Sequence, residues 1–380
     1  MDEPAAAYLN HPVLLRRQTL RARTSHPISP AMWSLRASLL ASWLLLSAPG
    51  CKKAAAPAMP PPAPLTTYTN PLLGSGADPW VTQKDGFYYY MHTTGGNLTL
   101  WKTAKMSELR STLGKIIWTP PASGPTSRDI WAPELHFLDG KWYVYFTAGP
   151  GNCCGGQRMW VLENAAADPT TGTWSAPLPI AVPGQDLWAI DGTILEQNGN
   201  RYFVWSGQEA GSDQQNLYIC RMASPTALTG PRVQLSVPQY PWEQNGAPRV
   251  NEGPEILKHE NKTFLVYSAS HCSTDDYALG LLTASSTADP MLPAAWTKTP
   301  TPVFTKDPAD RAFGPGHNSF FISRDGKENW MVYHANIDPN KGCGDARSPR
   351  MQKFDWNPDG TPNFGTPAPT GTLLPRPGGE

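Results

Sequence analysis

The chain carries little charge and no excess of either sign. Its 31 Lys and Arg balance 31 Asp and Glu within 380 residues, and charged side chains are only 16% of the total. That balance excludes a basic face for nucleic acid and an acidic tail for a basic partner. Long amphipathic helices are not evident, and no acidic loop of EF-hand type is present for calcium. The apolar run Leu39–Leu46 is too short to span a bilayer as a stable helix. The 6 cysteines lack the two close pairs of a structural zinc site. What the chain does hold is turns and rings: 33 Gly, 41 Pro, 15 Trp, 13 Tyr and 11 Phe. Such a composition predicts an all-β, turn-rich protein with an uncharged ligand. Aromatic rings suit both a β-rich core and the apolar face of a sugar.

The first 51 residues read as a targeting segment. Residues 1–31 show no hydrophobic periodicity and carry four Arg, whereas Met32 opens a better start. After it come Arg36, the short apolar run and Ser47-Ala48-Pro49-Gly50-Cys51, which resembles a bacterial lipoprotein signal, although Ala48 stands where Leu is usual. The expectation is translation from Met32, export, and a membrane tether through lipidated Cys51; the alternative is a plain secretory signal. Residues 52–66 are a Pro/Ala-rich linker, and residues 67–380 form one domain. Export permits disulfides. Cys220, alternating into a strand, is expected to be a buried free thiol; Cys153, Cys154, Cys272 and Cys343 can form one or two bridges whose pairing spacing does not give.

Five segments share one grammar: a polar or acidic loop, a short strand, a turn, and an aromatic-rich strand. They are ADPWVTQKDGFYYYMHT, APELHFLDGKWYVYFTA, AIDGTILEQNGNRYFVWSG, NEGPEILKHENKTFLVYSAS and GPGHNSFFISRDGKENWMVYHA. Asp85-Gly86, Asp139-Gly140, Asn198-Gly199 and Asp325-Gly326 are hairpin signals. Alignment on Tyr90, Phe146, Trp205, Tyr267 and Tyr333 gives steps of 56 to 66 residues, enough for four strands and their connections. A four-stranded sheet cannot bury both faces alone, and packing sheets around an axis buries them. The fold predicted is a five-bladed β-propeller. A β-sandwich would also show many short strands, but gives no reason for five repeats that each open on a polar loop.

Three repeats open with a carboxylate beside Gly or Pro: Asp78, Asp191 and Glu252. At equivalent places on inner strands they would converge on the propeller axis. Each alone has an ordinary reading; Asp before Pro or Gly is a common turn residue. Together they concentrate like charges, which raise one another's pKa and which a purely structural protein has little reason to collect. Glycoside hydrolysis needs such a set: one carboxyl that stays protonated for the leaving oxygen and another that stays ionised to activate water.

The segments GADPW, IWAPELH, AIDGT, NEGPE and GPGHNSF, in that order from Thr67 to Gly365, resemble glycoside hydrolase family 43. The resemblance implies a five-bladed propeller that hydrolyses arabinose- or xylose-containing polymers with inversion. It implies Asp78 as general base, Glu252 as general acid, and Asp191 as the carboxylate that raises the pKa of Glu252 and orients it. An inverting enzyme leaves room for water, which predicts base and acid roughly 6.5–9.5 Å apart. His317 matches a histidine that in many members helps hold a hydrated calcium through waters; the chemistry itself requires no cofactor. Glu134 matches a supportive position in the second blade. Trp131, in IWAPEL, is the tryptophan expected to stack on the sugar, with Trp80, Trp101 and Trp188 as weaker candidates. Arg347 and Arg350 match a late basic segment that approaches the pocket.

VNEGPEI, YSASHC, DDYALGLL and WNPDGTPNFG resemble the α-L-arabinofuranosidase branch. The expected activity is release of terminal α-L-arabinofuranose from arabinan or arabinoxylan. A β-xylosidase is the near alternative, and a surface glycan-binding propeller without catalysis the distant one.

Overall fold

The computed structural model describes residues 66–151 and 153–380; the targeting segment with Cys51, and all but the last residue of the linker, lie outside them. Each of the five repeats folds into an antiparallel sheet of four strands in chain order. The first strands, Ala77–Lys84, Arg128–Leu138, Ala189–Gln197, Asn251–His259 and Phe313–Ile322, contact their neighbours in a closed ring. The chain is a five-bladed β-propeller.

The second strands show why the sequence folds this way. FYYYMHT, KWYVYFTAG, NRYFVWSG, KTFLVYSA and NWMVYHAN are apolar almost throughout, because each is covered on both faces. In the strand Lys141–Gly149, Val144 and Phe146 join the core against blade 1, while Tyr143 and Tyr145 join the core against blade 3. The period of two thus deals alternate residues to alternate blade interfaces. Five such hydrophobic clusters fill the five interfaces. At Asp85-Gly86, Asp139-Gly140 and Asn198-Gly199 both turn residues have positive φ, as the tightest hairpins require.

The ring is closed by its ends. Thr67–Tyr68 pairs antiparallel with Leu374–Pro375, and Asn70 exchanges hydrogen bonds with the backbone of Met351 at 2.9 and 3.0 Å. The Glu380 carboxylate accepts the amides of Met106 and Ser107. Blades 1 and 5 are held together by this clasp and by the core of Val81, Tyr88 and Tyr90 against Phe321, Trp330 and Met351.

Candidate active site

Every inner strand carries a bulge at the same level, and the residue there is left-handed. Asp78, Ala132, Asp191, Gly253 and His317 have φ between 41° and 56°, each where the register to the second strand slips. The residue after it is out of the ladder, so a missing N–H costs nothing there. That accounts for Pro79, Pro133 and Pro254 in the repeated motifs. In blade 3 the residue is Gly192, where an added Cβ would lie 2.0 Å from Phe203.

Left-handed residues expose their amides toward the preceding blade. Ala132 donates to Thr93 Oγ1 (2.7 Å), Asp191 to Thr147 Oγ1 (3.3 Å), His317 to Ser268 Oγ (2.8 Å) and Asp78 to His334 Nδ1 (3.0 Å). Blade 4 departs from the rule. Its Gly253 amide donates to the Asp191 carboxylate at 3.1 Å, while the Ser206 hydroxyl donates to the Asn251 carbonyl at 2.9 Å. Glu252 is therefore offset by one residue from the equivalence its spacing predicts. It pairs directly with Ser268, level with Trp131 and Ile190, and Gly253 holds the place of Asp78 and Asp191.

All three carboxylates nevertheless line one cavity of about 440 Å³, together with Trp131, Trp188, His317 and Arg347. The chain just before Glu252 is fixed by Glu243, which is fully buried. Glu243 accepts from Asn251 Nδ2 and Tyr267 OH, both at 2.9 Å, and pairs with Lys298 at 2.5 Å.

Asp78 is buried, which alone would raise its pKa, yet it is held well below the usual carboxylate range. His317 Nδ1 and Arg347 Nη1 each stand 3.2 Å from Oδ1, His334 Nδ1 stands 3.5 Å away, and Thr93 donates to Oδ2 at 2.6 Å. Burial pushes both imidazoles down, so Arg347 is the permanent charge of the set. Asp78 stays ionised.

Across the cavity the direction reverses. Burial pushes Glu252 up to about 7; the Tyr277 hydroxyl, donating to Oε1 at 2.9 Å, and the Arg347 charge oppose it, and the Asp78 charge adds to it. Asp191 is also raised, by burial and then by the charges of Glu252 and Asp78, against the Gly253 amide and Arg347. Oxygens of Asp191 and Glu252 and a ring nitrogen of His317 lie within 4.8 Å of one another. The pair does not ionise twice near neutral pH. Burial is thus the main cause of the high pKa of Glu252, ahead of the neighbouring charge that sequence reasoning credits.

The model of glycosyl hydrolases family 43 matches residues 68–362. The chain belongs to glycosyl hydrolases family 43. It is 41% identical over 325 residues to an extracellular exo-α-(1→5)-L-arabinofuranosidase of Streptomyces avermitilis, covering 83% of this chain and 67% of that protein. To the enzyme of the same name from Streptomyces chartreusis it is 38% identical, covering 84% of this chain and 96% of the other. The crystal structure of an α-L-arabinofuranosidase from Lactobacillus brevis superposes with a TM-score of 0.75 at 35% identity, over 80% of this chain and 98% of that one. The protein is a glycosidase.

Other candidates sort cleanly in this family member. Trp131 and Trp188 line the cavity. Trp80 is buried between blades, donating to the Leu135 carbonyl, and Trp101 stacks on His92. Arg347 reaches Asp78 and is steadied by the Cys343 carbonyl at 2.7 Å. Arg350 does not approach the pocket. Three residues further along the same strand it faces the other way, fully buried, donating to the carbonyls of Asp310, Ala368 and Arg311. Glu134 sits below the cavity, 2.9 Å from His136, beside Thr193 and Glu255. Cys272 bridges to Cys343 and Cys153 to Cys154, all four at the cavity wall, and Cys220 is a buried free thiol.

His317 is the residue at which the hydrated calcium implied by the family would be held, through waters. Calcium takes six to eight oxygen ligands. Among the described residues the acidic side chains grouped with His317 are Asp191 and Glu252, and its Nδ1 faces Asp78. A calcium there would take most of its ligands from water, as the family resemblance implies.

Sequence reasoning misses Thr93, His334 and Tyr277. A signal for the first two exists: Thr147, Ser206, Ser268 and His334 each follow the aligned aromatic, and all sit opposite the bulge. In blade 1 the strand register makes His92, not Tyr90, the equivalent residue, which brings Thr93 into line.

Proposed function

We propose that the protein is an inverting exo-acting α-L-arabinofuranosidase that removes terminal arabinofuranose from arabinan or arabinoxylan. Asp78 is the general base, Glu252 the general acid, and Asp191 the partner that keeps Glu252 oriented and protonated. One observation carries the reading: two carboxyls in one cavity are held in opposite states near neutral pH, Asp78 ionised and Glu252 protonated up to about 7. That is the division an inverting mechanism requires. A water activated by Asp78 attacks the anomeric carbon while Glu252 protonates the departing oxygen. Trp131 offers the sugar an apolar face, and Arg347 keeps Asp78 charged. Loops carrying the two disulfides wall the cavity, which suits attack at a chain end. The names of the Streptomyces relatives support both the sugar and export. Tethering through Cys51, with the catalytic domain starting at residue 67, completes the reading.

The test is hydrolysis of linear arabinan and arabinoxylan with the product anomer followed by NMR, beside a chromogenic β-xyloside. Release of arabinose in the inverted configuration is expected. Retention, or preference for the xyloside, would overturn the reading.

A further inference from the structure

Tyr277 belongs to DDYALGLL, a motif the catalytic assignment leaves unused. It lies just before the strand Ala278–Ser285 and is 1% exposed. Its ring packs against Gly316, where an added Cβ would stand 2.4 Å from Cε1, and it stacks on His334 with centroids 5.7 Å apart and planes 13° apart. The hydroxyl so fixed donates to Glu252 Oε1 at 2.9 Å. His334 in turn accepts the amide of Asp78. One rigid stack therefore touches both the base and the acid.

We infer that Tyr277 is a positioning residue: it holds Glu252 by Oε1 and leaves Oε2 to carry the proton delivered to the leaving group. This rests on reading Glu252 as the general acid. A phenol has one proton to donate, and giving it to Oε1 makes that oxygen an acceptor. The acid proton then resides on the other oxygen. The same bond favours the ionised carboxylate, so it also limits how far Glu252 stays protonated as pH rises. The other charged or titratable groups facing Glu252 are Asp78 from blade 1, Asp191 from blade 3, and His317 and Arg347 from blade 5, with His334 behind the Tyr277 ring.

The experiment uses Tyr277→Phe in the intact protein, which keeps the ring and its stack. Two substrates are compared across pH: an activated aryl α-L-arabinofuranoside and an α-1,5-arabinobiose with a poor leaving group. The expected result is a rise of roughly one unit in the alkaline limb of kcat/KM, with the acid limb unmoved. At the optimum the disaccharide should lose about tenfold in kcat and the aryl glycoside much less. An unchanged alkaline limb with equal losses on both substrates would mean that Tyr277 only packs. Glu252→Gln, run beside it, separates the two readings. If that variant hydrolyses the disaccharide normally, the acid assignment itself fails. If it is inactive on the disaccharide, the acid assignment holds and the Tyr277→Phe profiles decide the role of the tyrosine.

Discussion

The two sides of the cavity titrate in opposite directions, and not because of solvent: Asp78 is buried and Glu252 half-buried. On the blade 1 side, Asp78 faces a guanidinium, two imidazoles and a hydroxyl. On the blade 4 side, Glu252 receives one neutral hydroxyl. Burial penalises charge on both, so burial does not distinguish them; the number and charge of the donors does. The difference teaches that acid and base are made by their neighbours, since either carboxyl would hold its proton in the other's surroundings stripped of donors.

The comparison is broken most severely at the carboxyls. Asp78→Asn and Glu252→Gln should each lower kcat/KM on arabino-oligosaccharides by roughly 10²–10⁴-fold or more. The Glu252 variant should recover in part on activated aryl glycosides, because a good leaving group needs less protonation; the Asp78 variant should not. Steady-state kinetics on both substrate types checks this.

Arg347→Met removes the permanent cation beside Asp78 and makes the two sides more alike. With its cation lost, the base holds its proton to higher pH, so the acid limb of the kcat/KM profile should move up by a unit or more. The activity at neutral pH should fall less than in Asp78→Asn. An acid limb that does not move would leave Asp78 to His317 and Thr93.

The smallest effect lies beneath the cavity. Glu255 is buried, its Oε2 has no hydrogen-bond partner, and burial raises it well above the usual range. A carboxyl raised on folding binds more protons in the native state, so its contribution to stability falls as pH rises above the unfolded value. Glu255→Gln should therefore raise Tm by a few degrees at pH 8 and by less at pH 5. Thermal unfolding at the two pH values reads the difference.

Much of this architecture is legible in the chain because a propeller repeats its physics. Aromatic second strands and Asp-Gly or Asn-Gly turns recur since every blade must fill two interfaces and reverse tightly. Asp78 and Asp191 are legible for the same reason, as both occupy the bulge. Glu252 is one place out, because a bulge absorbs a residue that spacing alone counts as paired. Arg350 is misleading since strand alternation turns it away from the face that Arg347 presents. Tyr277 is legible as part of DDYALGLL but its place at the cavity is not: that depends on blade 5 packing against its ring.

The clasp between the chain's ends has a consequence for synthesis. Arg347, the permanent charge that keeps Asp78 ionised, and His317, which faces the same carboxylate, both come from the last blade, and Arg347 is 269 residues downstream. At ribosomal speeds that separation is between roughly a quarter of a minute and a minute. A nascent chain that has already emitted Asp78, Asp191 and Glu252 holds all three cavity carboxyls and, on the proposed assignment, has as yet no working base. On that assignment hydrolytic competence arrives only when the final blade meets the first, and activity would itself report that the circle has been completed.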